Sequence, residues 1–262
     1  MKVITFNANG IRAARQRGFY SWLSAQDADF VCIQETKAQE SNINGDEVYF
    51  PPNYYSEYFA AEKKGYSGVA IYARCKPQSI IRGFGANWCD QEGRYIQFDY
   101  VDFTIISVYF PSGTSGEQRQ ALKYDFLNYF AKHLLRLKKS KSALIICGDY
   151  NIAHKPIDLK NWRANQKHSG FLPRERAWMD SLVGELGFVD AFRVINQESE
   201  QYTWWSYRHP HAFTSNIGWR IDYQVITPGL VNKVKNAVIY REARFSDHAP
   251  LMIEYQDISC LS

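Results

Sequence analysis

The chain has 262 residues, 45% apolar and 22% charged, the make-up of an ordinary globular protein able to bury a large core. Its net charge of +4 and isoelectric point near 8.7 permit a nucleic-acid partner, but fall short of the value above about 9 that marks one by charge alone. No run approaches the ~20 apolar residues of a membrane span, and Asn7 interrupts the first apolar stretch too early for a secretory signal, so a soluble, cytoplasmic protein is expected.

In chain order, residues 2–6 read as a strand, followed after Gly10 by a helix over 11–26 with arginines on one side. Short apolar runs at 29–33, 67–73, 94–100 and 103–109 are too brief for helices and fit strands. PSGTSGEQR at 111–119 is a loop between core segments. A helix is expected over 117–138, where Leu122, Phe126, Phe130, Leu134 and Leu137 recur at three- and four-residue spacing. RLKKSK, from Arg136 to Lys141, places cations at that helix's end, where they suit its dipole. A strand at 143–148 precedes a helix at 173–186, which opens with Pro173 and stops before Gly187. Strands at 221–227, 236–241 and 249–255 complete the pattern.

Many strands and few helices argue for two packed sheets with helices outside. No repeat or linker divides the chain, so residues 1–262 are expected to form one domain. Residues 150–172 and 199–219 are long irregular loops rich in Asn, Trp, His and Gly; such loops in a compact domain are usually functional. The cysteines (Cys32, Cys75, Cys89, Cys147, Cys260) are odd in number, scattered and without a CxxC pair, which suits a reducing compartment. His209 and His211 form an HxH pair without a third ligand nearby and read as a surface loop.

Five apolar runs end in an acid, an amide or both: at Asn7 and Asn9, at Glu35, at Asp149 and Asn151, at Asp222, and at Asp247-His248 before the last strand. One such ending is unremarkable, and an Asx turn accounts for either spaced pair by itself. Five together suggest strand ends converging on one polar site. Residues two apart in extended chain face the same way, so Asn7 would point with Asn9 and Asp149 with Asn151. Metal-assisted phosphodiester hydrolysis needs an oxygen-ligated cation, an aligned water and groups that stabilise added charge on phosphorus. Glu35, a lone acid at a strand end followed by Lys37, is the leading metal-ligand candidate. Asp149 suits a general base, with Asn7 and Asn151 holding water and phosphate. His248 suits a phosphate contact as an imidazolium.

The ordered set NANG, QETK, YSG, VYFPSG, GDYNIA, NWRANQK, FLPRER, GWRIDY and SDHAP resembles the exonuclease III-type AP endonucleases of the endonuclease/exonuclease/phosphatase superfamily. The resemblance runs from Asn7 to Pro250. It implies a four-layer α/β sandwich, two packed mixed β-sheets flanked by helices. It implies a DNA-repair phosphodiesterase acting on double-stranded DNA, cutting 5′ of abasic sites and processing 3′ ends as a 3′→5′ exonuclease and end-cleaning enzyme. Mg²⁺, or Mn²⁺, is the implied cofactor, and a monomer without a stable protein partner suffices. The resemblance makes Glu35 the principal ligand, with Asn9 and Asp247 as further metal contacts. Asn9 stands where relatives often have an acid, and Asp247 would act through water. Asp222 would orient His248, and Tyr109 would reach the phosphate. Trp204 and Trp219 would border a pocket for an extrahelical abasic sugar, with Ser169 and Gly170 leaving room for it. Arg12, Lys37, Tyr66, Arg94, Asn161 and Asn165 would contact DNA. Two departures bear on substrate choice: Ser112 stands where relatives often have Asn, and Trp204 where some have Phe.

Other readings compete. An end-processing exonuclease and 3′-phosphatase with weak abasic-site activity shares the whole site. A phosphoinositide phosphatase or sphingomyelinase-like enzyme shares GDxN and SDH, but NWRANQK, GWRIDY and the small size speak against it. A silent DNA-end-binding protein on the same fold should lack site residues, whereas Glu35, Asp149, Asn151, Asp222 and His248 are all present.

Overall fold

The computed structural model describes residues 1–260. Two six-stranded sheets pack face to face. One has the order β11-β12-β1-β2-β4-β3, built from β1 (Lys2–Asn7), β2 (Phe30–Gln34), β3 (Tyr55–Phe59), β4 (Val69–Ala73), β11 (Val234–Ile239) and β12 (Leu251–Tyr255). The other has the order β5-β6-β7-β8-β10-β9, built from β5 (Ser79–Arg82), β6 (Tyr95–Asp99), β7 (Thr104–Tyr109), β8 (Leu144–Asp149), β9 (Val189–Asp190) and β10 (Asp222–Ile226). Each has one parallel pair at its centre, β1 with β2 and β7 with β8, among antiparallel neighbours. The helices are α1 (Ile11–Gln16), α2 (Phe19–Ser24), α3 (Glu40–Ile43), α4 (Asn87–Gln91), α5 (Glu117–Ser140), α6 (Trp162–Asn165), α7 (Pro173–Val183) and α8 (Ala191–Ile195). The expected α/β sandwich of two mixed sheets flanked by helices is what forms.

The central strands read as continuous apolar runs because both their faces are covered. Val3, Cys32, Ile105, Ile145 and Cys147 share the core between the sheets. Their neighbours Ile4, Phe6, Val31 and Ile33 pack outward with Phe19 and Leu23 of α2. On the other side Ile106, Val108 and Ile146 pack against Phe126, Phe130 and Leu134 of α5. This period-two division places the site. Asn7 shares the inner parity of Val3, Tyr109 that of Ile105, Asp149 that of Cys147, and Asp222 that of Ile226. Each is the last inner position at the same end of the sandwich, so polar side chains close the apolar space there. Gly148 is required beside them: a Cβ would lie 2.2 Å from the Val108 carbonyl oxygen.

The expected helix over 11–26 is two helices, broken at Gly18, whose φ of +87° no helix accommodates. The edge strands β3 and β5 and the two-residue β9 were not expected. The buried position near the start of α5 is Lys123, with Leu122 only half-buried. Cys75 and Cys260 form a disulfide, against the expectation of unpaired thiols, while Cys32, Cys89 and Cys147 are free and buried. The disulfide lies at the end of the sandwich opposite Asn7 and Asp149, because Ala73, which precedes Cys75, pairs with Phe30 at the start of β2. Among the described residues no helix is long and apolar enough to cross a membrane.

Candidate active site

Five strand ends, of β1, β2, β7, β8 and β10, and the segment before β12 meet at an open cavity of about 520 Å³. Non-glycine residues there adopt positive φ: Asn9 (+43°), Glu35 (+49°), Lys37 (+49°), Asn151 (+51°) and Asn161 (+54°). Each such backbone costs about 1–3 kcal/mol unless its surroundings hold it, and the surroundings here are a dense hydrogen-bond network. Asn7 Nδ2 donates to Glu35 Oε1 at 2.9 Å and to Asp149 Oδ2 at 2.8 Å, tying one sheet to the other. Asp149 Oδ1 accepts from the Asn151 backbone N–H at 2.8 Å, and Asn151 Nδ2 donates to the Phe110 carbonyl at 2.9 Å. His248 Nδ1 lies 2.9 Å from Asp222 Oδ2, and its Nε2 lies 4.0 Å from Asp149 Oδ2.

Electrostatics follow from burial and charge. Burial, then the Asp222 carboxylate, push the Asp149 carboxyl up to about 8. Burial works against the charged form of His248, but Asp222, with Asp149 and Asp247, outweighs it and raises the imidazolium to about 10. Burial also acts to raise Glu35; the Lys37 ammonium, the Asn7 amide and His248 overcome it and hold Glu35 below the usual carboxylate range. Tyr109, buried beside Glu35, keeps its proton far above the usual phenol range.

Ligand atoms of Glu35, Asp149 and His248 all lie within 4.8 Å of one another, so these residues could hold a metal ion. The donor set fits a hard divalent cation: two carboxylates with amide oxygens nearby, and no thiolate. The raised Asp149 marks negative charge that a cation would relieve. Asn9 and Asp247 are hydrogen-bonded to each other across the site. Asn9 Oδ1 is occupied by the Lys37 ammonium. Both Asp247 oxygens are taken, Oδ1 by Asn9 Nδ2 and Ser246 Oγ and Oδ2 by the Trp204 indole N–H at 3.0 Å. Asp247 lines the cavity, and Asn9 is tied to it.

Of the expected DNA contacts, Asn161, Asn165, Trp204 and Trp219 line the cavity with Ser169 and Gly170. The two indoles meet edge to face at 6.3 Å. Gly170, at φ +96°, lets its loop close on them: a Cβ would come within 3.0 Å of the Trp219 ring. Lys37 pairs with Glu35 at 2.9 Å. Arg12 is exposed. Arg94 corrects the expectation of a backbone contact: it is buried, and its guanidinium donates to Glu92, the Tyr109 carbonyl and the Tyr66 hydroxyl. It stacks 4.7 Å from the Tyr109 ring. His209 also lines the cavity and is exposed, as a loop residue should be.

Two buried ionic groups beside the site escaped the sequence reading. Arg220 and Arg193 share Asp158, and Arg220 also reaches Asp190. Lys123 pairs with Glu175. The available signal was a charged residue on the same helical face as Phe126, Leu127 and Phe130, as Lys123 is on α5.

Comparison with known proteins places the chain in a family. Residues 4–248 match the Endonuclease/Exonuclease/phosphatase family. The chain is 39% identical over 253 residues to an exodeoxyribonuclease of Bacillus subtilis, covering 96% of this chain and 98% of that one. It is 35% identical to the DNA repair nuclease APEX1 of Danio rerio, covering 97% and 81%. Its fold superposes on an AP endonuclease from Archaeoglobus fulgidus with a TM-score of 0.87 and 28% identity, covering 98% and 99%.

Proposed function

Since the chain belongs to the endonuclease/exonuclease/phosphatase family and is a hydrolytic DNA-repair nuclease, we propose the following division of labour in its site. The protein hydrolyses duplex DNA 5′ of abasic sites and processes 3′ ends, as a cytoplasmic monomer of one domain. The observation that carries this is the Glu35, Asp149 and His248 cluster at the floor of a cavity walled by Trp204 and Trp219. The shared core of the two sheets supports the single domain.

Glu35, with Asp149 beside it, would hold Mg²⁺, with Mn²⁺ as substitute. When bound, the cation polarises the phosphate and lowers the proton affinity of Asp149. Asp149 accepts the proton of the attacking water, and Asn151 and Asn7 keep its carboxylate aimed. His248, charged at neutral pH, donates Nε2–H to a phosphate oxygen while Asp222 fixes its ring. The Tyr109 hydroxyl, which stays protonated, donates to the same group. Arg12, Lys37, Tyr66, Asn161 and Asn165 position the backbone, and the indoles receive a sugar that has no base to unstack.

The test is a labelled duplex with one stable abasic analogue, beside an intact duplex, in Mg²⁺ or EDTA. Mg²⁺-dependent incision immediately 5′ of the analogue is expected. Attack from 3′ ends alone would overturn the abasic assignment and leave an end-processing enzyme.

Two further results are expected. Glu35→Ala raises the Mg²⁺ concentration needed for half-maximal rate, read by metal titration of initial rates; an unchanged requirement removes Glu35 as the ligand. Ser169→Trp adds bulk to the cavity that Ser169 lines and suppresses abasic incision by more than it suppresses removal of a 3′-phosphate, read as the ratio of the two rates.

A further inference from the structure

We propose that the buried Lys123–Glu175 ion pair is a positioning pair for catalysis, locking the Asn151 turn and the Ser169–Gly170 cavity wall into one unit; this rests on the role assigned above to Asn151. Lys123 comes from α5 and Glu175 from α7, and both side chains are fully buried. Their nitrogen and oxygen are 2.6 Å apart. Lys123 Nζ also donates to the Asn151 carbonyl at 2.7 Å. Glu175 Oε2 accepts from the backbone N–H of Gly170 at 2.7 Å and of Leu172 at 2.9 Å, while Oε1 accepts from Ser169 Oγ at 3.3 Å and Gln120 Nε2 at 3.1 Å. The Ala153 N–H closes the unit on the Gly170 carbonyl at 2.8 Å.

Capping of α7 explains only the contact with Leu172. It does not explain a lysine placed among the apolar side chains of another helix to reach the carbonyl of Asn151. That carbonyl belongs to a residue at φ +51°, a conformation needing outside support. With its donor gone, the peptide after Asn151 is free to rotate. The Asn151 N–H that holds Asp149 Oδ1 then loses its aim, and the Gly170 wall behind Trp219 loosens with it.

The experiment compares Lys123→Met, Glu175→Gln, the double variant and Asn151→Ala with the wild type. It reads kcat, KM and Tm on the abasic-analogue duplex, with assays kept below each Tm. Each single change should lower kcat by about 10- to 100-fold, the scale of a small misplacement of reacting groups, with KM little changed. The double variant removes both charges while the amide oxygen introduced by Glu175→Gln still accepts from Gly170 and Leu172, so its Tm should recover relative to the singles. Its kcat should stay low, because Asn151 still lacks its donor. Recovery of kcat together with Tm, or singles with normal kcat, would overturn the proposal and leave a pair that serves stability alone. If Asn151→Ala turns over normally, the failure lies in the role of Asn151 itself; if only that variant is slow, it lies in the pair.

Discussion

Asp149→Asn lowers kcat on the abasic-analogue duplex by at least ~10²-fold at saturating Mg²⁺, the lower end of what loss of a general base removes. The amide keeps the size of the carboxylate and cannot take the proton. It also puts an N–H₂ group where Oδ2 now accepts from Asn7, or else where Oδ1 accepts from the Asn151 N–H. Either way a donor faces a donor, and the aim of the site degrades with its basicity. The rate–pH profile supplies a second reading. Burial and Asp222 bring Asp149 to about 8, so without added positive charge it is protonated at neutral pH and unable to act as base. The wild-type rate should therefore rise with pH on the acid side, and that limb should shift to lower pH as Mg²⁺ is added. Asp149→Asn should erase the limb. Near-normal turnover in this variant, or an unaltered limb, sinks the assignment.

His248→Ala lowers kcat by about 10²–10³-fold, the scale of losing one donor to a developing oxyanion. It also lowers thermal stability, because Asp222 Oδ2 loses its imidazole and Asp222 Oδ1 is already buried without a partner. Breaking one side of a buried charged pair typically costs about 3–5 kcal/mol. Asp222→Asn separates the two effects. Coulombic attraction from Asp222 is what raises His248 to about 10 against its burial. In the wild type the imidazolium persists until pH rises through that value. Without the carboxylate it should lose its proton at a lower pH than in the wild type, with only Asp149 and Asp247 left to oppose its burial. Asp222→Asn should thus lose activity on the alkaline side at a lower pH than the wild type does. An alkaline limb identical to that of the wild type would show that the charge of His248 is not used.

The sequence alone contained the strand ends and their chemistry. A strand alternates faces with period two, so an acid or amide two residues beyond an inner core position must project into the space between the sheets. Asn7, Asp149 and Asp222 are readable on that rule from their own neighbours. The ordered motifs identified the partners, which no periodicity can do. Local chemistry also settled the start of α7 at Pro173 and most of α5, though α7 ends at Val183, before Gly184 and short of the expected stop before Gly187. What only the tertiary structure decided has a common cause: it depends on residues distant in the chain. β3 and β5 sit at sheet edges, where one-sided burial leaves a weak pattern. Arg94 reads as surface until Tyr66, Glu92 and Tyr109 close over it. Asn9 and Asp247 stand 238 positions apart, and only the fold shows that they hold each other. Lys123 meets its glutamate 52 positions away and Cys75 its partner 185 positions away. A buried charge or a disulfide is a property of the pair, and a single sequence shows its two halves without showing that they meet.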